Sequence, residues 1–238
     1  MKLKTMVKYF MLGKAVSYNL LYLHLLELFE VEYFDVIMST DVKTKLNDES
    51  RNNYFGYIPK DPGVFLNSLK EVKEKFGHRE SFIDVGCGIA DKTLLAHYTG
   101  IFDKCYGIEC SSYTYDLAKS KVEPITGENT IIYGDAFAHD FSKYDTIYMY
   151  CPIRDEETML RLLEYIYKTM REDAIIIFFN GSIYSPQDKF QSRGFKYTGK
   201  YSFILYKNSI EVFLTINNGG ITVVNSRSTR PSMDTVTK

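Results

Sequence analysis

Short runs rich in β-branched and aromatic residues alternate with helical patterns through the middle of this chain, and that alternation limits its fold more than any other feature. The runs are "SFIDVG" (Ser81 to Gly86), "KCYGIEC" (Lys104 to Cys110), "TIIYGD" (Thr130 to Asp135), "YDTIYMY" (Tyr144 to Tyr150) and "AIIIFFN" (Ala174 to Asn180), each bounded by turn residues. Helical patterns lie between most of them. The clearest begins near Asp155, where Met159, Leu162, Leu163, Ile166 and Met170 make one apolar stripe at the spacing of a helix. A strand that reaches its neighbour through a helical crossover must run parallel to it. The sequence therefore predicts an α/β fold built on a doubly wound, mostly parallel sheet.

The flanks read differently. Residues 1–50 contain "AVSYNLLYLHLLELF" (Ala15 to Phe29), too short and too often broken by polar residues to span a bilayer, which needs about 20 apolar residues. Its leucines suit a helical extension packed on the core or on a partner, more than a helix lying on a membrane surface. These N-terminal helices are also a candidate contact for homo-oligomers. A polar stretch from Ser39 to Asn53 separates the extension from residues 51–217. There, "KDPGVFLNSLKEVKEKFG" has a cap at Asp61, Pro62 in the first turn, an apolar face of Phe65, Leu69, Val72 and Phe76, and a stop at Gly77. In "YSFILYKNSIEVFLTIN" (Tyr201 to Asn217) two strand patterns are separated by only a few polar residues, which predicts an antiparallel C-terminal hairpin. Residues 218–238, rich in Gly, Ser and Thr, read as a flexible tail.

Composition narrows the class of function. With 29 Lys plus Arg against 30 Asp plus Glu, the formal charge of -1 gives no general attraction to nucleic acid or to an anionic membrane. Cys87, Cys105, Cys110 and Cys151 form no CxxC pair, which argues against structural zinc or a disulfide framework and suits a reducing cytoplasm.

The chemistry concentrates in "FIDVGCGIADK" (Phe82 to Lys92). In a doubly wound sheet, ligands lie over the carboxyl ends of the strands where the strand order reverses, and a glycine-rich turn there lets backbone approach them. The last position of a dinucleotide-binding GxGxxG is occupied by Asp91, an acid facing a phosphate site, which argues against NAD or FAD. Asp84 and Asp91 suit a cationic or amino-acid portion instead. Glu109 ends the second run about 20 residues past the glycines, the offset of a ribose-binding carboxylate. Asp135 ends the third run, where it can accept from an adenine amino group while Ala136 leaves room for the ring. Taken singly, each acid also reads as an ordinary strand-end turn residue or helix cap.

From Tyr54 to Asn217 the chain resembles the class I, seven-stranded S-adenosylmethionine-dependent methyltransferases, through "DVGCGIAD", "GIEC", "GDAF" and the terminal hairpin. The segment "YFGYIPKDPGVFL" (Tyr54 to Leu66) is similar to the one preceding the first strand in non-SET protein-lysine methyltransferases. The resemblance implies a seven-stranded sheet and S-adenosyl-L-methionine as cofactor. It places Asp84, Gly86 and Gly88 at the methionine portion, Glu109 at the ribose, and Asp135 with Ala136 at the adenine. It also implies an acceptor site beyond the fourth strand, where Tyr57, Tyr148, Tyr150, Cys151 and Pro152 are candidate channel residues. Cys151-Pro152-Ile153 stands where methyltransferases acting on adenine or glutamine amino groups carry Asn or Asp before Pro-Pro-aromatic. The expected acceptor is accordingly a nitrogen of a protein lysine or a small-molecule amine, ahead of RNA or DNA. A base pair formed by His139 and Asp140 is a weaker candidate. The rivals are a methyltransferase-shaped binding module that transfers nothing and, more weakly, a nucleotide oxidoreductase.

Overall fold

The computed structural model describes residues 2–29, 62–150, 152–153 and 155–179, together with the backbone of 202–206, 212–217 and 220–225. Two helices come first, α1 (Leu3–Met11) and α2 (Tyr18–Phe29), followed by α3 (Pro62–Phe76). The alternating part runs β1 (Arg79–Val85), α4 (Asp91–Thr99), β2 (Phe102–Glu109), α5 (Ser112–Thr126), β3 (Ile131–Tyr133), β4 (Thr146–Tyr150), α6 (Glu156–Thr169) and β5 (Ile175–Phe179). Short 3-10 turns at Ala136–Ala138 and Phe141–Lys143 lie between β3 and β4. The last strands are β6 (Ser202–Tyr206), β7 (Val212–Asn217) and β8 (Gly220–Asn225).

The main sheet has the order β3-β2-β1-β4-β5-β6. β1 pairs in parallel with both β2 and β4, so the chain winds outward through β3 on one side and through β5 on the other. That reversal at β1 is the switch point at which the open ends of two crossovers part and leave a crevice. β6 closes the sheet antiparallel to β5, and β7 pairs antiparallel with β8 in a separate two-stranded sheet. β8 falls where composition suggested a tail: Ile221, Val223 and Val224 give that stretch strand propensity despite its small polar neighbours. Residues 207–211, on which the expected hairpin of 201–217 turns, lie outside the described residues, as do Asp61, the linker 39–53 and residues 226–238.

Both faces of the sheet are covered, because alternate residues of each central strand are apolar on both sides. On one face Phe82, Tyr148, Ile175, Ile177 and Phe179 join a core that takes in α1 to α4. The rings of Phe65 and Tyr148 meet edge to face, with centroids 4.9 Å apart. On the other face Ile83, Val85, Ile147, Met149, Ile176 and Phe178 meet the α6 stripe of Met159, Leu162, Leu163 and Ile166. α6 starts where the sequence indicated, since the Asp155 carboxylate accepts from Thr158 N at 2.7 Å and so satisfies an orphan helix amide. Gly77, at φ +74°, ends α3.

The amino ends of the strands are joined by a structural carboxylate. Buried Asp145 accepts from the backbone amides of Glu80 (2.7 Å) and Ser81 (3.3 Å) and from Thr146 Oγ1 (3.1 Å), beside the Arg79 guanidinium. At the carboxyl ends, closeness of backbone sets the geometry. A side chain on Gly107 of β2 would meet Cys87 Sγ at 2.7 Å and Thr93 Oγ1 at 3.0 Å, so glycine here lets the turn after β1 and the start of α4 settle onto β2. Gly107→Ala should therefore lower stability by about 1–3 kcal/mol through overpacking. Cys87→Ala in the same chain should recover part of that loss, a coupling measured by denaturant unfolding of the single and double variants. Strict additivity of the two would contradict this packing.

Candidate active site

Register brings the sequence-predicted acids to one edge. Asp84 lies opposite Gly107 and Val85 opposite Ile108 in the β1–β2 ladder, while Glu109 faces Tyr133 in the β2–β3 ladder. The pairing continues past the strands: Gly86 N and Cys87 N both donate to Ile108 O, at 2.9 and 3.0 Å, and Gly134 N donates to Glu109 O at 3.0 Å. The turn after β1, the tip of β2 and the turn after β3 therefore form one continuous edge.

The turn itself departs from ordinary backbone. Gly86 and Gly88 have φ of +72° and +55°, and Ala90 has φ +61°. Glycine adopts this region freely, whereas alanine there costs roughly 1–2 kcal/mol. Two of these left-handed positions show in the sequence as glycines, and the third is hidden from it because Ala90 fills it. Gly86 is crossed by Pro152: a Cβ on Gly86 would lie 2.6 Å from Pro152 Cβ. The candidate Pro152 is thus half-buried against the glycine turn, with candidate Tyr150 half-buried at the end of β4. Tyr57 and Cys151 lie outside the described residues. Tyr148 belongs elsewhere, since it is buried in the ring cluster with Phe65 and Phe82. A strand whose two faces are both apolar gives no cue as to which aromatic faces the core.

Glu109 has a firm structural role. Its Oε2 accepts from Gly88 N at 2.7 Å, and its Oε1 accepts from Cys110 N and Ser111 N, both at 2.9 Å. A carboxylate has about four lone-pair sites, so Oε2 keeps capacity for one more donor. Ser111 Oγ, which the sequence did not single out, is buried and has no hydrogen-bond partner among the described residues. Asp135 is exposed and caps the following 3-10 turn by accepting from Phe137 N at 2.9 Å, with Ala136 half-buried next to it. Both Glu109 and Asp135 act on Cys110, an exposed residue whose thiol is pushed up to about 12 by partial desolvation and by Glu109, so the second and third strand tips share one neighbourhood.

Asp84 completes the edge from inside. It is buried, and burial, reinforced by the Asp91 and Glu109 carboxylates, holds its carboxyl well above the usual range, while Lys92 pulls the other way. The Cys87 thiol, also buried, is raised by that burial and by the same three acids. Asp84, Asp91 and Glu109 therefore lie close enough to act on one another and on Cys87 of the glycine turn. Lys92, which the sequence pattern did not single out, sits among them with its ammonium on Asp91 Oδ2. The His139–Asp140 pair does not form: Asp140 accepts from Ser142 N at 3.0 Å, and His139 Nε2 meets Tyr144 Oη at 3.0 Å.

A raised carboxyl pKa makes a prediction about stability. Above about pH 4, where an unfolded aspartate ionises, the folded protein retains the Asp84 proton that the unfolded chain has released. Asp84 therefore subtracts stability as pH rises towards its folded pKa. Asp84→Asn removes this penalty. The stabilities of the two proteins should converge near pH 4. Above it the variant should gain on the native chain by about 1.4 kcal/mol for each pH step of one until the folded pKa is reached, measured by denaturant unfolding across pH. The native chain gaining instead would mean that Asp84 is stabilised in its ionised form.

No family model and no curated protein matches the sequence. Among solved structures the chain is similar to the ribosomal protein L11 methylase from Lactobacillus delbrueckii subsp. bulgaricus, with TM-score 0.49 and 15% identity over 63% of this chain and 81% of that one. It is also similar to an RNA methyltransferase from Salinibacter ruber in complex with S-adenosyl-L-homocysteine, with TM-score 0.43 and 16% identity over 52% and 78%. A third likeness is to the PH0226 protein from Pyrococcus horikoshii OT3, with TM-score 0.41 and 14% identity over 56% of this chain. That match spans 65% of the PH0226 chain, just under two thirds of its length. By its own strand order and its two helical layers, the chain is a doubly wound, Rossmann-like α/β protein.

Proposed function

We propose that the protein is an S-adenosyl-L-methionine-dependent methyltransferase acting on a nitrogen, with a protein lysine or a small-molecule amine as acceptor. The observation that carries this reading is the grouping of Asp84, Asp91 and Glu109 around a left-handed glycine turn at the switch point of the sheet.

The residues present fit the cofactor by their donor chemistry. Glu109 retains one acceptor site for a ribose hydroxyl, and the unpartnered Ser111 hydroxyl lies at the next residue but one. Burial holds the Asp84 carboxyl well above the usual range, and an arriving cationic amino group would draw it back towards ionisation, since an adjacent positive charge lowers a carboxyl pKa. Asp135 and Ala136 stand at the adenine end, where Asp135 combines a capping role with an exposed carboxylate. When bound, the sulfonium supplies an already electrophilic methyl group, so the chain's task is alignment and exclusion of water rather than bond polarisation. Pro152, against the glycine turn, and Tyr150, half-buried at the end of β4, are the described acceptor-channel candidates and restrict how an amine approaches.

Titration calorimetry on the full chain should show binding of both S-adenosylmethionine and S-adenosylhomocysteine, weakened at least tenfold by Glu109→Gln, which presents an amide to the backbone N–H groups. Incubation with methyl-labelled cofactor and lysate should place label in protein or in small amines. Label confined to nucleic acid would replace the acceptor, and binding without transfer would favour a non-catalytic module. Absence of binding by a folded sample would remove the proposal.

A further inference from the structure

Lys92 is the buried charged group that the reading above leaves unused. It stands at the second position of α4, with its side chain 7% exposed and its ammonium on the Asp91 carboxylate, itself 6% exposed. Two physical costs oppose a cation here. Burial strips its hydration, and the amino end of a helix carries partial positive charge. An uncharged helix former would avoid both. The Asp91 carboxylate supplies the compensation, and the Lys92 charge in turn pulls the Asp84 carboxyl down against its burial.

This inference rests on the cofactor reading proposed above. We propose that Lys92 sets the relative affinity of the site for the sulfonium donor and the thioether product. Donor and product differ by one methyl group and one positive charge on sulfur. A fixed ammonium near the site opposes the donor and leaves the product almost untouched, while Asp91 does the reverse. At an effective dielectric of about 20, two unit charges about 12 Å apart shift a binding constant about tenfold. Lys92 stands at the start of the helix that leaves the glycine turn, and its charge acts on Asp84 at the end of β1. As transfer proceeds, the carbon–sulfur bonding pair stays on sulfur, the acceptor lone pair forms the carbon–nitrogen bond, and the positive charge passes to the methylated nitrogen, which loses it when a proton goes to solvent. The lysine thus weakens binding of the charged donor relative to the neutral-sulfur product.

The test compares S-adenosylmethionine with S-adenosylhomocysteine by calorimetry on the full chain, each variant being measured against the native protein at the same pH. Lys92→Met should shift the affinity ratio about tenfold towards the sulfonium. Asp91→Asn should shift it several-fold the other way, and Lys92→Arg should leave it within about twofold. Opposite shifts are a signature that lost packing does not produce. The Asp91→Asn and Lys92→Arg arms carry the test if Lys92→Met does not fold. Equal changes for both ligands in every variant would overturn the inference while leaving the cofactor reading intact. Failure of the folded native chain to bind either ligand would instead remove the cofactor reading itself.

Discussion

The rest of the site depends on the carboxylate of Glu109. It accepts backbone N–H groups from Gly88, Cys110 and Ser111, and so ties the turn after β1 to the start of α5. Peptide groups at the open end of a parallel sheet have lost their ladder partners, and leaving several of them unsatisfied in a half-buried edge would cost about 1–3 kcal/mol each. One side chain resolves that problem for two adjacent crossovers. The same hydrogen bonds hold Gly88 in its left-handed conformation, keep the edge open, and concentrate negative charge where Asp84 is buried. Structural need and the proposed ligand chemistry thus meet in one residue, as they do in Asp135, which caps a turn and still faces solvent.

Much of this was legible in the residues themselves. Alternation of strand and helix patterns implied parallel crossovers, and the stripe from Met159 to Ile166 is buried on the sheet as its spacing required. Placing Asp84 and Glu109 at neighbouring strand tips followed from the same pattern. Illegible were the contacts that depend on which backbone passes close by. Gly107 looks like any strand glycine, yet it makes room for Cys87 and Thr93. Ala90 conceals a left-handed position because a small side chain tolerates what a larger one would not. Tyr148, a channel candidate by its place after the fourth run of the sequence, lies in the core, since strands apolar on both faces carry no period-two signal. Asp140 bonds to Ser142 rather than to His139, because a short local turn is cheaper to close than an imidazole contact.

The two ends of the sheet use acids in opposite ways. At the amino ends Asp145 is saturated by amides, a hydroxyl and a guanidinium, so its charge is spent on holding β1 to β4. At the carboxyl ends Lys92 pairs with Asp91 and acts on Asp84, and burial with the neighbouring Asp91 and Glu109 drives the Asp84 carboxyl well above the usual range. Electrostatic tension of that kind opposes stability and favours an arriving cation. Among the described residues no helix is long and apolar enough to cross a membrane, and α1 turns Met6, Val7 and Phe10 into the same core as β1. The N-terminal helices thereby brace the face of the sheet from which the glycine turn emerges.

The most direct measurement is amide hydrogen exchange on the full chain with and without S-adenosylhomocysteine. Slower exchange is expected at residues 86–92, 109–112 and 133–137 and only there, with α1 and α2 unchanged. Protection that appears elsewhere while these three turns exchange at the ligand-free rate would contradict a cofactor site at the tips of β1, β2 and β3.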